Sequence, residues 1–146
     1  MRLCLDACCL NRLTDDQSQA RIREEAEAVD GVLRLIREAQ VTWVSSTALE
    51  IEISRNPDSE RRDDVAALLV FADVVVVPRS HTAERAAFLQ SLGFGAFDAL
   101  HLASAEQGRV DVFLTTDDSL LRRAVRYGDE LSIHVRNPVS WYREMA

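Results

Sequence analysis

The chain has 146 residues, the size of one domain able to bury a sizeable core, and its 47% hydrophobic and 28% charged residues are those of an ordinary globular protein. Its net charge of −7 excludes a protein that holds nucleic acid by overall attraction, although it leaves room for a nuclease whose clustered carboxylates are offset by cations. Three cysteines, an odd number with two adjacent, exclude a disulfide framework and fit a reducing compartment.

Leu3-Cys4-Leu5 is an apolar run ending in Asp6, which predicts a buried first strand with a carboxylate at its tip. This start lacks the pattern of a cleavable signal, and the apolar run Ala66 to Ala72 is far too short to span a membrane, so the expected location is cytoplasmic. Cys8 to Arg12 enters a helix or loop, and Thr14-Asp-Asp-Gln17 has the pattern of a capping box. Between Ile22 and Ala39, apolar residues at 22, 26, 29, 32, 33 and 36 predict a helix with one buried face. Val41 to Val44 is a second strand, and Ser45-Ser46-Thr47 offers caps for a helix from Ala48 to about Ser54 that carries Glu50 and Glu52. Asn56-Pro57-Asp58 punctuates the chain, with Asp58 or Ser59 capping a helix from about Glu60 to Ala72.

Val74 to Val77 is an apolar strand stopped by Pro78, followed by a helix from Thr82 to Leu92 and a turn at Gly93-Phe-Gly95. A helix from Ala96 to Gln107 holds Asp98 near its start, and the strand Val110 to Leu114 leads to Thr115 and Asp117. A helix over Ser119–Tyr127 with Asp118 as its expected cap, a strand over Ile133–Val135 and a terminal helix over Pro138–Glu144 complete the pattern. Apolar strands alternating with helices predict a parallel sheet covered on both faces. With no repeat, linker or low-complexity stretch, residues 1–146 are expected to form a single domain.

Asp6 and Asp117 follow apolar strands and therefore point to the same edge of a parallel sheet, where ligands bind in such folds. Glu50 and Glu52 lie just after the second strand, and Asp98 lies in the first turns of a helix. Converging carboxylates repel one another and are costly to desolvate, so a fold that gathers them usually supplies cations. Oxygen ligands favour Mg²⁺ or Mn²⁺.

Leu5-Asp6, the segment Ser45 to Ile53, Gly95-Ala-Phe-Asp98-Ala-Leu-His-Leu-Ala-Ser-Ala105 and Leu114-Thr115-Thr-Asp117 follow the motif order of PIN domains, and the chain resembles that family over nearly its whole length. Many of its members are VapC-type toxins of bacterial toxin–antitoxin pairs. The resemblance implies a three-layer α/β/α fold around a central parallel sheet and a Mg²⁺- or Mn²⁺-dependent ribonuclease that hydrolyses RNA. It implies an acidic quartet of Asp6, Asp98, Asp117 and one of Glu50 or Glu52, the first three also being metal ligands, with Thr115 as a supporting hydroxyl. Glu52 fits the family spacing better and is the expected second acid. Glu50 is the alternative, since on a helix the two point about 200° apart. A homodimer and an antitoxin that often reaches the site with an Arg are further implications. The family commonly reads Asp-Thr-Asn where this chain has Asp6-Ala7-Cys8. That departure supports an alternative, a weakened PIN module that binds RNA or a protein without cutting.

Other chemistry fails on spacing. No Arg stands six residues after any Cys, as a phosphatase loop needs, and no Cys/His zinc spacing occurs. The chain has no Lys, which removes a receiver-type site and a phosphate-binding P-loop, and Cys8 stands where a haloacid-type phosphatase needs its second acid. Cys8 and Cys9 then read as small residues packed under the first strand. His101, three residues after Asp98, is placed to touch phosphate, to meet a carboxylate, or simply to pack at the rim. Arg12, close after the first acid, is the foremost candidate for RNA contact, with Arg55 and the run Arg122, Arg123 and Arg126 also near the expected edge.

Overall fold

The computed structural model of the chain describes residues 1–145. Its centre is one parallel sheet of β1 (Arg2–Leu5), β2 (Thr42–Ser46), β3 (Val74–Val76), β4 (Val112–Leu114) and β5 (His134–Arg136), in the order β3-β2-β1-β4-β5. The three inner strands β1, β2 and β4 are buried almost throughout, as expected for strands covered on both faces, whereas the edge strands β3 and β5 are partly exposed. The pleat sends Leu3 and Leu5 into one apolar cluster and Cys4 into the other.

Helices α1 (Ala7–Asn11), α2 (Ala20–Arg37), α3 (Thr47–Ser54), α4 (Ser59–Leu68) and α8 (Pro138–Met145) contribute to the first cluster, around Trp43 and Leu114. Helices α5 (Ser80–Ser91), α6 (Ala96–Gln107) and α7 (Asp118–Arg126) contribute to the second, around Leu89, Leu102 and Phe113. The result is the α/β/α sandwich that the alternation of elements implied. Burying each of these large side chains contributes about 1.5–3 kcal/mol. Leu5→Ala, at a position 2% exposed, is expected to cost about 2–5 kcal/mol through the cavity it leaves.

Local chemistry sets the element ends. Ser46 is both the last residue of β2 and the cap of α3, its hydroxyl accepting from the Leu49 amide at 3.1 Å. Asp58 caps α4 through the Arg61 amide. The helix expected to run to Ala72 instead ends at Leu68 and tightens into a 3₁₀ turn over Leu69–Phe71. Gly93, with φ +101°, makes the turn between α5 and α6, a backbone shape that a side chain would strain. Gly31 lets α8 approach α2, because a Cβ there would run into the Tyr142 ring.

One local expectation fails. Thr14 to Gln17 opens no helix: the Thr14 hydroxyl donates to the Asn11 carbonyl, and the Gln17 amide donates to the Arg12 and Asp15 carbonyls. These groups close a turn, and α2 starts later, at Ala20. Among the described residues no helix is long and apolar enough to cross a membrane.

Candidate active site

The connection leaving β1 runs to β2 on one side, while the one leaving β4 runs to β5 on the other. This divergence opens a crevice at the carboxyl ends of β1 and β4, the place where open α/β sheets bind ligands. Asp6 sits there, 5% exposed, its amide bonded to the Leu114 carbonyl at 2.9 Å. Its Oδ1 accepts from the Ala7 amide at 2.8 Å and its Oδ2 from the Thr115 hydroxyl at 2.8 Å. The Cys8 thiol, 3.4 Å away, also points at Oδ2. Burial raises the Asp6 pKa, and the Glu52 charge adds to the effect, against the opposing pull of His101, Thr115 and Cys8.

Glu52 reaches the same crevice from α3. Its Oε1 lies 3.4 Å from His101 Nε2, without the angles of a hydrogen bond, and donor atoms of Asp6, Glu52 and His101 all fall within 4.8 Å of one another. Glu50, two residues earlier, is exposed and outside that group, as the helical offset requires. His101 is 4% exposed on α6; burial works to lower its pKa, but Glu52, Asp6 and Asp98 together raise it.

Asp98, in the first turn of α6, is half-buried, and its pKa rises to about 6 through burial first and then the charges of Asp6 and Asp117. Asp117 is exposed and caps α7, its Oδ1 accepting from the Ser119 and Leu120 amides at 2.9 and 3.2 Å. Neither Asp98 nor Asp117 belongs to the three-donor group of Asp6, Glu52 and His101. The charges of Asp6, Asp117 and Glu52 all act on Asp98, which places the four acids in one electrostatic neighbourhood. Thr115, fully buried, links two of them: its hydroxyl donates to Asp6 and accepts from the Asp117 amide at 3.1 Å.

Three side chains are placed otherwise than the sequence implied. Arg12, the foremost candidate for RNA contact, is engaged internally, with Nε 2.9 Å from Glu25 Oε1 and Nη1 2.8 Å from Asp15 Oδ2. Asp118 was expected to cap α7, but Asp117 does so, and Asp118 takes two bonds from the Arg21 guanidinium at 2.8 Å each. Cys8 is more than a packed small residue. Its sulfur lies 3.3 Å from Thr115 Oγ1 and 3.4 Å from the Thr116 amide as well as against Asp6, in the polar position that the departure from Asp-Thr-Asn had appeared to empty. Its place two residues after Asp6 was the available signal, obscured by reading thiols as apolar.

The donor set fits a hard divalent cation. Four carboxylates share the edge with no Arg ion pair to any of them among the described residues; His101 beside Glu52 is their basic neighbour, and Asp98 is held above the usual carboxylate range by burial first and then by the charges of Asp6 and Asp117.

A family model described as the PIN domain matches residues 3–126. Two solved structures share the fold over most of both chains. FitAcB from Neisseria gonorrhoeae matches at 16% identity and a TM-score of 0.60, covering 93% of this chain and 97% of that one. VapBC2 from Rickettsia felis, bound to a DNA fragment from their promoter, matches at 12% identity and a TM-score of 0.62, covering 94% and 98%. A comparison with curated proteins returns no match.

Proposed function

Because the chain belongs to the PIN domain family, we propose that it is a divalent-cation-dependent endoribonuclease and the toxin of a type II toxin–antitoxin pair. PIN domains are generally nucleases, and the observation that carries the metal-dependent reading is the set of Asp6, Glu52, Asp98 and Asp117 left without a guanidinium partner at the sheet's switch point. Such charge is costly to hold together and is expected where a site awaits a cation.

A bound Mg²⁺ or Mn²⁺ would polarise a phosphoryl oxygen and make a coordinated water acidic near neutral pH. The chain's own residues prepare for that. Thr115, Cys8 and the Ala7 amide fix the Asp6 carboxylate, so that it meets its ligand without reorganising. Asp117 has Oδ1 tied into the α7 cap, which leaves Oδ2 available as a ligand atom. Glu52, partly exposed, is placed as a further ligand or to orient the attacking water. Asp6, Asp98 and Asp117 are the proposed metal ligands, directly or through water.

The likeness to FitAcB and VapBC2 supports a partner protein for this chain, and a basic antitoxin segment suits the same unbalanced carboxylates. A homodimer is in keeping with the edge strand β3, in which Val75 is 46% exposed and just after which Val77 is 64% exposed. A cytoplasmic location follows from an RNA substrate and unpaired thiols.

Incubation with RNA tests the reading. Cleavage is expected with Mn²⁺ or Mg²⁺, is lost in EDTA, and is lost in Asp98→Asn with an unchanged circular dichroism spectrum. Equal cleavage by the wild type and that variant sinks the assignment. The weak thiol donor at Cys8 favours a second reading, a module that binds RNA or protein without cutting; Mn²⁺ binding with no cleavage of any RNA is its signature.

A further inference from the structure

The quartet of acids leaves one side chain of the site without a task. His101 is 4% exposed, and its Nε2 has no hydrogen-bond partner among the described residues. A buried polar nitrogen in that condition is uncommon and costly. The same atom points into the acidic group, 3.4 Å from Glu52 Oε1 and within the 4.8 Å span that also contains an Asp6 oxygen. Bonds of about 2.1 Å to a small divalent ion put neighbouring donors about 3.0 Å apart and opposite donors about 4.2 Å apart. Three donors this close therefore suit a single ion after modest adjustment. The ring is also held in orientation. Phe97 stacks on it with centroids 5.9 Å apart and planes 22° apart, and the Arg55 guanidinium lies over the Phe97 ring at 5.1 Å.

We propose that His101 is a nitrogen ligand of the metal centre, joining Asp6 and Glu52 on one divalent ion and biasing it toward Mn²⁺ over Mg²⁺. The inference rests on the metal-dependent reading above and adds to it a ligand of a different class. Carboxylates and water suit either ion, whereas imidazole favours the transition metal. Asp98 and Asp117, outside the three-donor group, remain for contacts through water.

Electron spin-echo spectroscopy of the Mn²⁺-loaded protein tests this without relying on turnover. A directly bound imidazole gives ¹⁴N modulation that changes when the chain is made with ¹⁵N-histidine, an experiment on the wild type that no folding defect can obscure. The modulation is expected to vanish in His101→Gln, which keeps the exposed His81 and His134 as internal controls. In that variant the Mn²⁺-to-Mg²⁺ affinity ratio, measured by calorimetry, is expected to fall by about tenfold or more. Mn²⁺ that binds without nitrogen modulation overturns the assignment and leaves the carboxylate centre standing, His101 then being a neighbour of Glu52 and no more. Failure of Mn²⁺ to bind at all overturns both.

Discussion

Glu25 and Asp6 are both buried carboxylates, 2% and 5% exposed, yet they keep opposite company. Glu25 on α2 takes Arg12 Nε on Oε1 at 2.9 Å, and on Oε2 it takes Asn137 Nδ2 at 2.7 Å and Arg21 Nε at 3.4 Å. Those partners tie α1, α2 and the start of α8 into one node, and Arg21 extends it to Asp118 and the Thr116 carbonyl. Asp6 receives only an amide, a hydroxyl and a thiol, and its nearest charged neighbours include other acids. With 17 arginines in the chain, the absence of an Arg ion pair at the second place is a matter of arrangement, not supply. One cluster is balanced and ties distant segments together; the other is left without an Arg partner, at a cost that the proposed cation would offset.

Breaking the balanced node gives the largest expected loss of stability. Glu25→Ala leaves Arg12 and Arg21 without their shared partner and is expected to cost about 3–5 kcal/mol in denaturant unfolding, while the folded fraction still cleaves RNA. A loss confined to cleavage, with stability intact, inverts the comparison. At the open cluster, Glu52→Gln is expected to lower cleavage about a hundredfold or more with little change in stability. Glu50→Gln, at an exposed position, serves as its control and stays at the wild-type rate. Equal losses in the two variants contradict the placement of Glu52.

Thr115→Val probes the bridge between the acids. It removes the donor to Asp6 and the acceptor for the Asp117 amide, and is expected to cost about 1–3 kcal/mol in thermal or denaturant unfolding. The smallest effect concerns pH. Asp98 keeps its proton to about 6 in the folded chain, against an ordinary value of 3.8, because of burial and its acidic neighbours. Between those values the folded state binds more protons than the unfolded one, so metal-free stability falls as pH rises from about 4 to about 6. Asp98→Asn removes that group's contribution; an unaltered slope in the variant places the titration elsewhere.

Most strands were legible because runs such as Leu3 to Leu5, Val74 to Val77 and Val110 to Leu114 have little else to become, with Asp6 directly after one of them and Asp117 shortly after another. Asp98 was legible from its place at the start of a helix. Choosing Glu52 over Glu50 rested on the family spacing, the helical offset saying only that the two cannot both face the site. Arg12 was misread because its partner Glu25 lies 13 residues on and that partner's third ligand, Asn137, 112 residues beyond it, with no local pattern to announce the node. Asp118 was misread because two adjacent Asp residues offer equal caps until Arg21, 97 residues away, claims one of them. His101 stayed open for a related reason: whether a histidine one turn after Asp98 meets a carboxylate depends on where α3 brings Glu52. The elements were written locally; the charge balance was settled between distant segments.

Calorimetric titration with Mn²⁺ tests the central claim most directly, because it asks whether the open cluster takes the charge that Glu25 already has. The wild type is expected to bind at millimolar concentrations or below, and Asp98→Asn to bind far more weakly while remaining folded. Absence of binding by the wild type, or equal binding by the two, contradicts a cation centre at Asp6, Glu52, Asp98 and Asp117.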